Sequence, residues 1–474
     1  MPEQLATLSA LVGGDLRGDG AIVVDDVTHD SRAVEGPGSL FVAMPGARLD
    51  GHGFVGGLDP TVPVVVERWL DHPNPQVRVD DSRGVLGALA DAVHGAPSAA
   101  LDVIGVTGTN GKTSVTHLLA DVLRSAGRAP AVIGTTGVYA DGARTPLVHT
   151  TPEASDLHRL LRTLLDAGTD VVCMEVSSHA LAFGRVDGVR FRSVAFTNLS
   201  HDHLDFHGTM EAYFEAKASL FTRSEHRVVH VGDEWGARLA DRHPSIRVGV
   251  DPSAHGVDVA IDRTSFRLRS GTEEVDVEIP FGGRFTVQNA LVAAGLAIDL
   301  GVPLTTVGTG LGAANGIPGR FEPVRAGQPF GVVVDYAHSP AAVAEALTSA
   351  AEVTPGRVIA VVGAGGDRDR AKRVPMGSAA GAADVVVLTS DNPRSEDPDV
   401  ILDEVEAGVR TTDAVVHRER DRAAAIRAAL ALAEVGDSVL ILGKGHEATQ
   451  EVEGRFEPFD DRDVARSVLE ESYP

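Results

Sequence analysis

The stretch that most constrains the fold is GVTGTNGKTS, at positions 105–114. It lies between an apolar run that predicts a β-strand and an amphipathic pattern that predicts a helix. A glycine-rich turn at such a junction directs backbone N–H groups and the helix N-terminus towards phosphate. The strict phosphate-loop pattern has glycine where this chain has Val106, so the motif is a G-T-N-G-K-T variant. We therefore expect a parallel α/β sheet with a nucleotide site at the carboxyl end of a strand.

The pattern around this motif predicts three domains in 474 residues, close to the usual ~150 residues per domain. Strand and helix patterns alternate after residue 102 and again after residue 330, which is typical of α/β proteins. We predict a small N-terminal α/β domain over 1–98, a central P-loop ATPase-like domain with a mostly parallel sheet over 99–318, and a Rossmann-like, doubly wound C-terminal domain over 319–474. The alternating polarity of 258–280 predicts an antiparallel hairpin added to the central sheet.

Composition excludes several classes of protein. Acidic residues outnumber basic ones by 67 to 42, and the net charge of -25 argues against general binding to nucleic acid or to anionic membranes. No segment approaches the roughly 18 apolar residues of a membrane helix, and the N-terminus lacks a secretory pattern, so we expect a cytoplasmic protein. The single cysteine, Cys173, excludes an internal disulfide and a cysteine-rich zinc site.

Lysine is rare in this chain. Only four of the 42 basic residues are lysine, namely Lys112, Lys217, Lys372 and Lys444. Arginine does not replace lysine where a compact point charge or a modifiable amine is required. The four lysines are therefore candidate functional residues, although a solvated helix residue is the ordinary interpretation of Lys217 taken alone.

Two further motifs of the central segment carry groups that bind cations. Glu175 ends the apolar run VVCME, where a buried carboxylate requires a partner or a metal ion. The stretch TNLSHDHLDFHG at 197–208 concentrates histidine and aspartate. It misses by one residue the H-x-H-x-D-H spacing of binuclear zinc hydrolases, an alternative that the phosphate loop upstream disfavours.

Four motifs of the C-terminal segment each follow a predicted strand, and they read VDYAHSP, GAGGDRDRAKR, TSDNPRSEDP and GKGHE. Because the carboxyl ends of parallel strands meet at one sheet edge, we expect these motifs to form one ligand site. GAGGDR is similar to a dinucleotide fingerprint, but Arg368 stands in place of the third glycine. An oxidoreductase is therefore the weaker alternative.

Together with EVSSHAL, YFEAKASLF and GRFE, and in their order along the chain, these motifs resemble the Mur ligases of peptidoglycan synthesis. The resemblance covers essentially the whole chain and is greatest to the ligases that add the third amino acid. It implies that ATP activates a carboxylate of UDP-MurNAc-L-Ala-D-Glu as an acyl phosphate, which the amine of diaminopimelate then attacks. The partners would be these small molecules, and we expect a monomer.

The resemblance implies ATP and two Mg²⁺ ions as cofactors. Lys112, Lys217 and His203 match catalytic positions, and Lys217 matches a lysine that CO₂ converts into a carbamate (N6-carboxylysine). The metal ligands would be Thr113, Glu175, His203 and the Lys217 carbamate. The residues that match the ATP site are Gly108, Thr109, Asn110, Gly111, Lys112, Thr113, Ser114, Asn289, Arg320, Asp335 and His338.

For the UDP substrate, the matching positions are Ser31, Thr150, Thr151, Ser177 and Arg185. The chain departs from the family pattern at Phe183, where many relatives have glutamine. His201 lies at a variable position of the pattern, and we assign it no metal role.

The resemblance further implies that diaminopimelate is bound by Arg368, Asp391, Asn392, Pro393, Arg394, Gly443 and Glu447. Diaminopimelate differs from lysine by a carboxylate at the far end of its side chain, with which Arg394 can pair bidentately. We expect bound lysine to leave this guanidinium unpaired, at a cost of about 3–5 kcal/mol. Glu447 is expected to bind the distal ammonium, which lysine also has. Lys372 and Lys444 also lie in family motifs; we assign them no catalytic role and interpret Lys372 as structural and Lys444 as a support for the backbone around GKGHE.

Several alternatives stay open at this point. The same ligase would use L-lysine if Arg394 did not select the substrate. A folylpolyglutamate-synthetase-like ligase shares the fold and the phosphate loop, but is not expected to combine DNPR with GKGHE. A ligase that adds another amino acid would lack the DNPR constellation. A non-catalytic paralogue would be expected to have lost Lys112 or Lys217, and both are present.

Overall fold

A computed structural model describes residues 2–46 and 49–473 of the chain. The chain divides into two compact units. The first unit runs to Pro252 and includes Val292–Val307, and the second comprises Ser253–Leu291 and the chain from Gly308 onward. Within the described ranges, no helix combines the length and the apolar character that a membrane crossing demands.

The N-terminal part of the first unit is a small α/β fold, as the sequence predicts. Its elements are β1 (Glu3–Gln4), α1 (Leu5–Leu11), β2 (Asp15–Arg17), β3 (Val23–Val24), β4 (Asp26–Thr28), β5 (Ser39–Val42), β6 (Val64–Val66), β7 (Gln76–Arg78) and α2 (Ser82–Val93). The five-stranded sheet has the order β2-β7-β6-β5-β4 and is parallel except for β2. Asp81 caps α2, because its carboxylate accepts hydrogen bonds from the N–H groups of Arg83 and Gly84.

The central part of the first unit contains an eight-stranded sheet in the order β11-β10-β9-β12-β8-β13-β14-β15. Its elements are β8 (Asp102–Thr107), α3 (Lys112–Ser125), β9 (Pro130–Gly134), β10 (Gly137–Ala140), β11 (Ala143–Thr145), α4 (Ala154–Asp166), β12 (Val171–Glu175), α5 (Ser178–Ala182), β13 (Phe191–Phe196), α6 (Leu204–His207), α7 (Met210–Ala218), β14 (Arg227–His230), α8 (Glu234–Arg242) and β15 (Ile246–Val248). Only β10 runs opposite to the other strands, because it pairs antiparallel with both β9 and β11, whereas all other pairs are parallel. Because β8 lies between β12 and β13, the loops that follow these three strands adjoin at one sheet edge.

The stretch 258–280 departs from the sequence-based expectation. Its strands form a separate antiparallel sheet within the second unit, so the predicted addition to the central sheet is wrong. The elements are β16 (Ser253–Val259), β17 (Thr264–Ser270), β18 (Glu273–Ile279), α9 (Arg284–Asp299) and α10 (Leu304–Gly312). Gly308 of α10 packs directly against Val275 of β18. The helix α10 therefore covers the apolar face of this small sheet. That face is buried without the sheet being part of the larger central sheet.

The C-terminal part is a doubly wound sheet, as predicted. Its elements are β19 (Glu322–Pro323), β20 (Gly331–Asp335), α11 (Pro340–Ala351), β21 (Val358–Val362), α12 (Arg373–Ala380), β22 (Val385–Leu388), α13 (Pro398–Val409), β23 (Val415–Arg418), α14 (Arg422–Leu432), β24 (Ser438–Leu442), β25 (Thr449–Val452), β26 (Arg455–Pro458) and α15 (Asp461–Ser472). The order β19-β20-β24-β21-β22-β23 is parallel except for β19. Successive residues of β21 point to opposite faces of the sheet and belong to two separate hydrophobic cores. Ala360 packs with α11, α12 and α13 on one face, and Ile359 packs with α14 and α15 on the other.

A buried ion pair holds together two loops at the carboxyl edge of this sheet. Nε and Nη2 of Arg422 donate to the carboxylate of Asp461 at 2.7 and 2.6 Å, and both side chains are fully buried. The same guanidinium donates to the carbonyl oxygens of Leu442 (3.0 Å) and Ser390 (3.4 Å). The pair thereby fixes the chain just after β22 and at the end of β24.

We predict that Asp461→Asn destabilises the protein by about 3–5 kcal/mol, because it leaves the Arg422 charge buried without its counter-charge. Glu471→Gln is the control, since it breaks an exposed pair with Arg427 and is expected to cost at most about 1 kcal/mol. Urea unfolding followed by circular dichroism measures both. An Asp461→Asn midpoint equal to that of the wild type would contradict the assignment.

Candidate active site

The loop between β8 and α3 adopts a shape that requires glycine. Gly108 and Gly111 have positive φ angles of 148° and 85°, and a Cβ at Gly108 would lie 1.8 Å from Oγ1 of Thr197. Thr197 donates to the carbonyl oxygen of Asn110 at 2.6 Å, and Oδ1 of Asn198 accepts the Asn110 N–H at 2.9 Å. The loop after β13 therefore supports the phosphate loop, a role that sequence analysis missed.

Lys112 and Ser114 occupy the first turn of α3, where backbone N–H groups have no partner within the helix. Nζ of Lys112 lies across the loop and donates to the carbonyl oxygens of Gly108 (3.0 Å) and Thr109 (2.9 Å). A cation and a helix N-terminus thus adjoin one glycine-rich loop. This arrangement fits a phosphate group.

Glu175 ends β12 and is only 1% exposed. Its Oε1 accepts hydrogen bonds from Oγ1 of Thr113 (2.9 Å) and the N–H of Thr135 (2.8 Å), and its Oε2 accepts one from Oγ1 of Thr135 (3.1 Å). Thr113 and Glu175 thus present adjacent oxygen atoms, the ligand type that Mg²⁺ prefers, and Mg²⁺ in nucleotide sites also binds water and phosphate oxygens. The donor set therefore fits Mg²⁺ bound together with a nucleotide.

Lys217 lies in α7 and is only 1% exposed, so its interpretation as a solvated helix lysine is wrong. Nζ donates to the carbonyl oxygen of Gly108 at 2.7 Å and lies 4.5 Å from the centroid of the Tyr213 ring. Burial, with a smaller effect from the charge of Lys112, lowers the pKa of the ammonium well below its usual value. The side chain therefore fits a neutral, nucleophilic amine.

His203 differs from these groups because its side chain is about half exposed. It precedes α6 with a positive φ of 52°. Its ring packs edge-on against that of His179, with centroids 4.9 Å apart. Over residues 2–46 and 49–473, no three imidazole, thiol or carboxylate groups converge into a metal-binding cluster. The ligand role of His203 stays a prediction.

Four of the predicted UDP-substrate residues form one network beside Glu175. Oγ1 of Thr151 donates to the Glu175 carbonyl oxygen at 2.9 Å and accepts the N–H of Ser177 at 3.2 Å. Arg185 donates to the carbonyl oxygen of Thr151 at 3.2 Å. The hydroxyl of Thr150 lies 3.1 Å from the hydroxyl of Thr135, which also donates to the Glu175 carboxylate. The structure thus brings these four residues together next to Thr113 and Glu175, the predicted magnesium ligands.

The fifth predicted residue, Ser31, begins a 3-10 turn over Ser31–Ala33. Two positions earlier, Nδ1 of His29 lies 3.0 Å from the hydroxyl of Ser155 in α4. The turn is therefore linked to the helix that follows Thr150 and Thr151.

Phe183, the departure from the family pattern, makes aromatic contacts. Its ring centroid lies 5.3 Å from that of Phe206 and 5.9 Å from the guanidinium carbon of Arg185. Nε of Arg185 lies 2.9 Å from a carboxylate oxygen of Glu153 on its other flank. A cation–π contact thus helps to hold Arg185 in place.

In the second unit, Asp335 ends β20, as the sequence predicts. Its Oδ2 accepts the N–H of Phe321 at 2.7 Å and its Oδ1 accepts the N–H of Ala337 at 2.8 Å. Removal from water raises the pKa of this carboxyl, and the charge of Arg320 opposes the rise. Asp335 thereby fixes the backbone just after β20 and, at Phe321, just before the neighbouring strand β19.

The other predicted ATP residues of this unit lie nearby or in α9. The guanidinium carbon of Arg320 lies 5.0 Å from the ring centroid of Tyr336. His338 is exposed, and its Nδ1 donates to the Tyr336 carbonyl oxygen at 2.8 Å. Asn289 is buried in α9.

Six of the seven predicted diaminopimelate residues line one cavity of about 310 Å³. The six are Arg368, Asp391, Asn392, Arg394, Gly443 and Glu447. His338 and Lys372 line it as well. The seventh, Pro393, is buried, and its carbonyl oxygen packs against Gly366. The cavity has acidic and basic side chains in its wall, which suits a ligand that carries both charges.

Lys444 is fully buried beside this cavity. Its Nζ donates to Oδ1 of Asn392 (3.0 Å), Oε2 of Glu447 (3.2 Å) and the carbonyl oxygen of Thr449 (2.7 Å). All three ammonium protons are thereby used. Lys444 thus links the DNPR and GKGHE motifs and holds their side chains in place.

Arg394 already has a carboxylate partner. Its Nε donates to Oε2 of Glu451 at 2.9 Å, and its Nη1 donates to the carbonyl oxygen of Gly366 at 2.6 Å. The expectation that bound lysine leaves this guanidinium unpaired is therefore wrong. Selection against lysine would instead rest on the loss of one additional charged interaction, which is worth about 1.5–3 kcal/mol.

We predict that Gly134→Ala weakens binding of magnesium–ADP about tenfold or more, a loss of about 1.4 kcal/mol or more. The added Cβ would lie 2.1 Å from Oε1 of Glu175 and would displace the carboxylate. Gly56→Ala is the control, because its Cβ would meet nothing within 4 Å. Calorimetric titration measures both, and equal affinities for Gly134→Ala and wild type would refute the role of Glu175.

Comparison with known proteins gives two family matches. Residues 106–297 match the Mur ligase middle domain, and residues 319–445 match the Mur ligase glutamate ligase domain. The curated UDP-N-acetylmuramoyl-L-alanyl-D-glutamate--2,6-diaminopimelate ligase of Streptomyces coelicolor is 44% identical over 481 residues, which cover 96% of this chain and 94% of the relative.

The fold of this chain is similar to that of several solved structures. The structure of a UDP-N-acetylmuramoyl-L-alanyl-D-glutamate--2,6-diaminopimelate ligase has a TM-score of 0.73 at 31% identity, with 100% of each chain covered. A Mycobacterium tuberculosis folylpolyglutamate synthase complexed with ADP has a TM-score of 0.62 at 19% identity, over 75% of this chain and 91% of its own. The second likeness concerns the fold alone.

Proposed function

This chain belongs to the Mur ligase family, and we propose that it joins diaminopimelate to UDP-MurNAc-L-Ala-D-Glu in an ATP-dependent step of peptidoglycan precursor synthesis. The observation that carries the proposal is the 310 Å³ cavity. Its wall includes Arg394 for a distal carboxylate and Glu447 for a distal ammonium. Diaminopimelate carries both groups at the far end of its side chain, whereas lysine carries only the ammonium.

The reaction is the formation of an amide bond through an acyl phosphate. A carboxylate oxygen of the UDP substrate attacks the γ-phosphorus of ATP, and ADP leaves. The amine of diaminopimelate then attacks the acyl carbon, phosphate leaves, and the nitrogen loses a proton. Two anions must meet in the first step, so positive charge at the site lowers the barrier.

The phosphate loop is the proposed site of the triphosphate. Lys112 and the first turn of α3 would bind phosphate oxygens, and Thr113 with Glu175 would hold Mg²⁺. Bound Mg²⁺ neutralises charge on the phosphate oxygens. Asn289, Arg320, Asp335 and His338 stay predicted contacts of ATP.

Lys217 is proposed to carry a carbamate. A buried amine of lowered pKa can attack CO₂; a nitrogen–carbon bond forms and a proton is released. The product is an anion, which would serve as a ligand for a second metal ion together with His203. A carbamate oxygen can bind a metal ion, whereas the ammonium of unmodified lysine cannot.

Further parts of the assignment remain predictions. Thr150, Thr151, Ser177 and Arg185, together with Ser31, are the proposed contacts of the UDP substrate. The proposed boundaries between the three domains along the chain fall at residues 98/99 and 318/319. The monomeric state and the cytoplasmic location are likewise expectations.

An amino-acid panel tests the function. With UDP-MurNAc-L-Ala-D-Glu, ATP and Mg²⁺, the protein should release phosphate with diaminopimelate and far more slowly with L-lysine. Arg394→Ala should lower kcat/KM for diaminopimelate about tenfold to a hundredfold and change lysine use little. Arg410→Ala, which removes an exposed arginine of another ion pair, should change neither.

The outcomes of this panel are distinguishable. Equal use of lysine by the wild type would disprove the role of Arg394 but leave the ligase assignment intact. Absence of phosphate release with every amino acid would disprove the proposed function.

The carbamate has its own test. Lys217→Ala should abolish turnover, and a small carboxylate such as acetate should restore part of it by replacing the carbamate. Lys217→Arg should be inactive, because a guanidinium forms no carbamate. Incubation with ¹³CO₂ should give a carbamate carbon signal by NMR in the wild type and none in Lys217→Arg. Full activity of Lys217→Arg would rule the carbamate out.

A further inference from the structure

The hairpin formed by β25 and β26 lies against the loop that carries Arg394. The N–H of Arg394 donates to the carbonyl oxygen of Glu451 at 3.1 Å, and the N–H of Glu453 donates to the carbonyl oxygen of Arg394 at 2.8 Å. These two bonds make a parallel bridge between Arg394 and Val452. The hairpin therefore acts as an additional short strand beside the DNPR motif.

Two further contacts tie the hairpin to the same motif. Nε2 of Gln450 donates to the carbonyl oxygen of Asp391 at 2.7 Å, and the N–H of Glu451 donates to Oδ1 of Asn392 at 3.0 Å. By contrast, the second strand, Arg455–Pro458, is exposed throughout. The described contacts of the hairpin are thus concentrated on the amino-acid site.

The backbone of Arg394 needs such support. Its φ is +54°, in the left-handed region that residues with a Cβ rarely adopt. Such conformations persist where surrounding contacts over-determine them, and they occur often at functional sites. The two backbone bonds from the hairpin supply that constraint at Arg394.

The side chain of Arg394 is also held by the hairpin. Glu451 accepts from Nε and Gly366 accepts from Nη1, on two different edges of the guanidinium. Among the described residues, none accepts a hydrogen bond from Nη2, and Nη1 carries a second proton, so the end of the group can still bind a carboxylate with two parallel hydrogen bonds. Arg394 lines the cavity and Glu451 is not among the lining residues, which means that the carboxylate of Glu451 holds the arginine from outside.

We propose that Glu451 is a positioning residue for amino-acid selection, and that it orients Arg394 so that the guanidinium end binds the distal carboxylate of the incoming amino acid. This inference rests on the proposed function. Glu451 does not touch the substrate; it acts through Arg394, and its effect is confined to substrates that carry a distal carboxylate.

Steady-state kinetics of Glu451 variants test the proposal. Glu451→Ala should raise KM for diaminopimelate about tenfold, with kcat and the KM values for ATP and the UDP substrate changed less than about threefold. Glu451→Gln should lie between Glu451→Ala and wild type, because glutamine retains the acceptor but not the charge. Residual lysine use should stay the same in all variants. Glu457→Ala, on the exposed strand of the same hairpin, is the matched control and should behave as wild type.

A double-mutant cycle separates positioning from a general structural role. In the Arg394→Ala background, Glu451→Ala should produce no further rise in KM for diaminopimelate, because its only route to the substrate is gone. An equal rise in both backgrounds would overturn the proposal. An unchanged or lower KM in Glu451→Ala alone would overturn it as well, since Glu451 would then be idle or a competitor of the substrate.

Failure of this inference is distinguishable from failure of the proposed function. A wild-type protein that does not use diaminopimelate contradicts the function before any variant is compared. A wild type that uses diaminopimelate, with a Glu451→Ala variant of equal KM, overturns only the positioning role. Thermal unfolding of each variant identifies any loss of fold. If Glu451→Ala is unfolded, the KM of Glu451→Gln for diaminopimelate alone decides whether Glu451 has the positioning role.

Discussion

The side-chain nitrogen atoms of two lysines converge on a single carbonyl oxygen, that of Gly108. Lys112 reaches it at 3.0 Å from the start of α3, and Lys217 reaches it at 2.7 Å from α7. Like charges this close in a poorly hydrated place repel each other strongly, so one of the two must be neutral or carry a group of opposite charge. Burial selects Lys217 for that role. Arginine could not take this position, because its guanidinium does not lose its proton in proteins.

The groups assigned to chemistry are held by a second set of residues. Thr135 holds the carboxylate of Glu175, Asn198 holds the phosphate loop, and Lys444 holds Asn392 and Glu447. Thr135 and Asn198 each lie in the loop that follows the adjacent parallel strand, whereas Lys444 lies in the same loop as Glu447 and reaches Asn392 in the loop after β22, two strands away. The sheets therefore do more than present loops: the strand order decides which loops lie close enough to support each other.

The sequence predicted the parts of this protein that have local signals. Alternating strand and helix patterns predicted both parallel sheets, and the motifs after the strands predicted the residues that line the cavity. The supporting contacts were not predictable, because Thr135 lies 40 positions from Glu175 and Glu451 lies 57 positions from Arg394. A short polar residue in a turn gives no sign of its distant partner. The separate sheet around 258–280 was missed for a related reason, since alternation of polarity shows one buried face but not what covers it.

The scarcity of lysine has a practical consequence once burial is considered. Lys217 and Lys444 are buried, and Lys112 and Lys372 are only partly accessible, so none of the four is exposed. The positive charge of the outer surface therefore comes from arginine. Amine-selective acylating reagents and crosslinkers, which label most proteins at many surface lysines, have few targets on this one. The side chains that do react lie in the phosphate loop and the cavity, so protection from labelling becomes a direct measure of ligand occupancy.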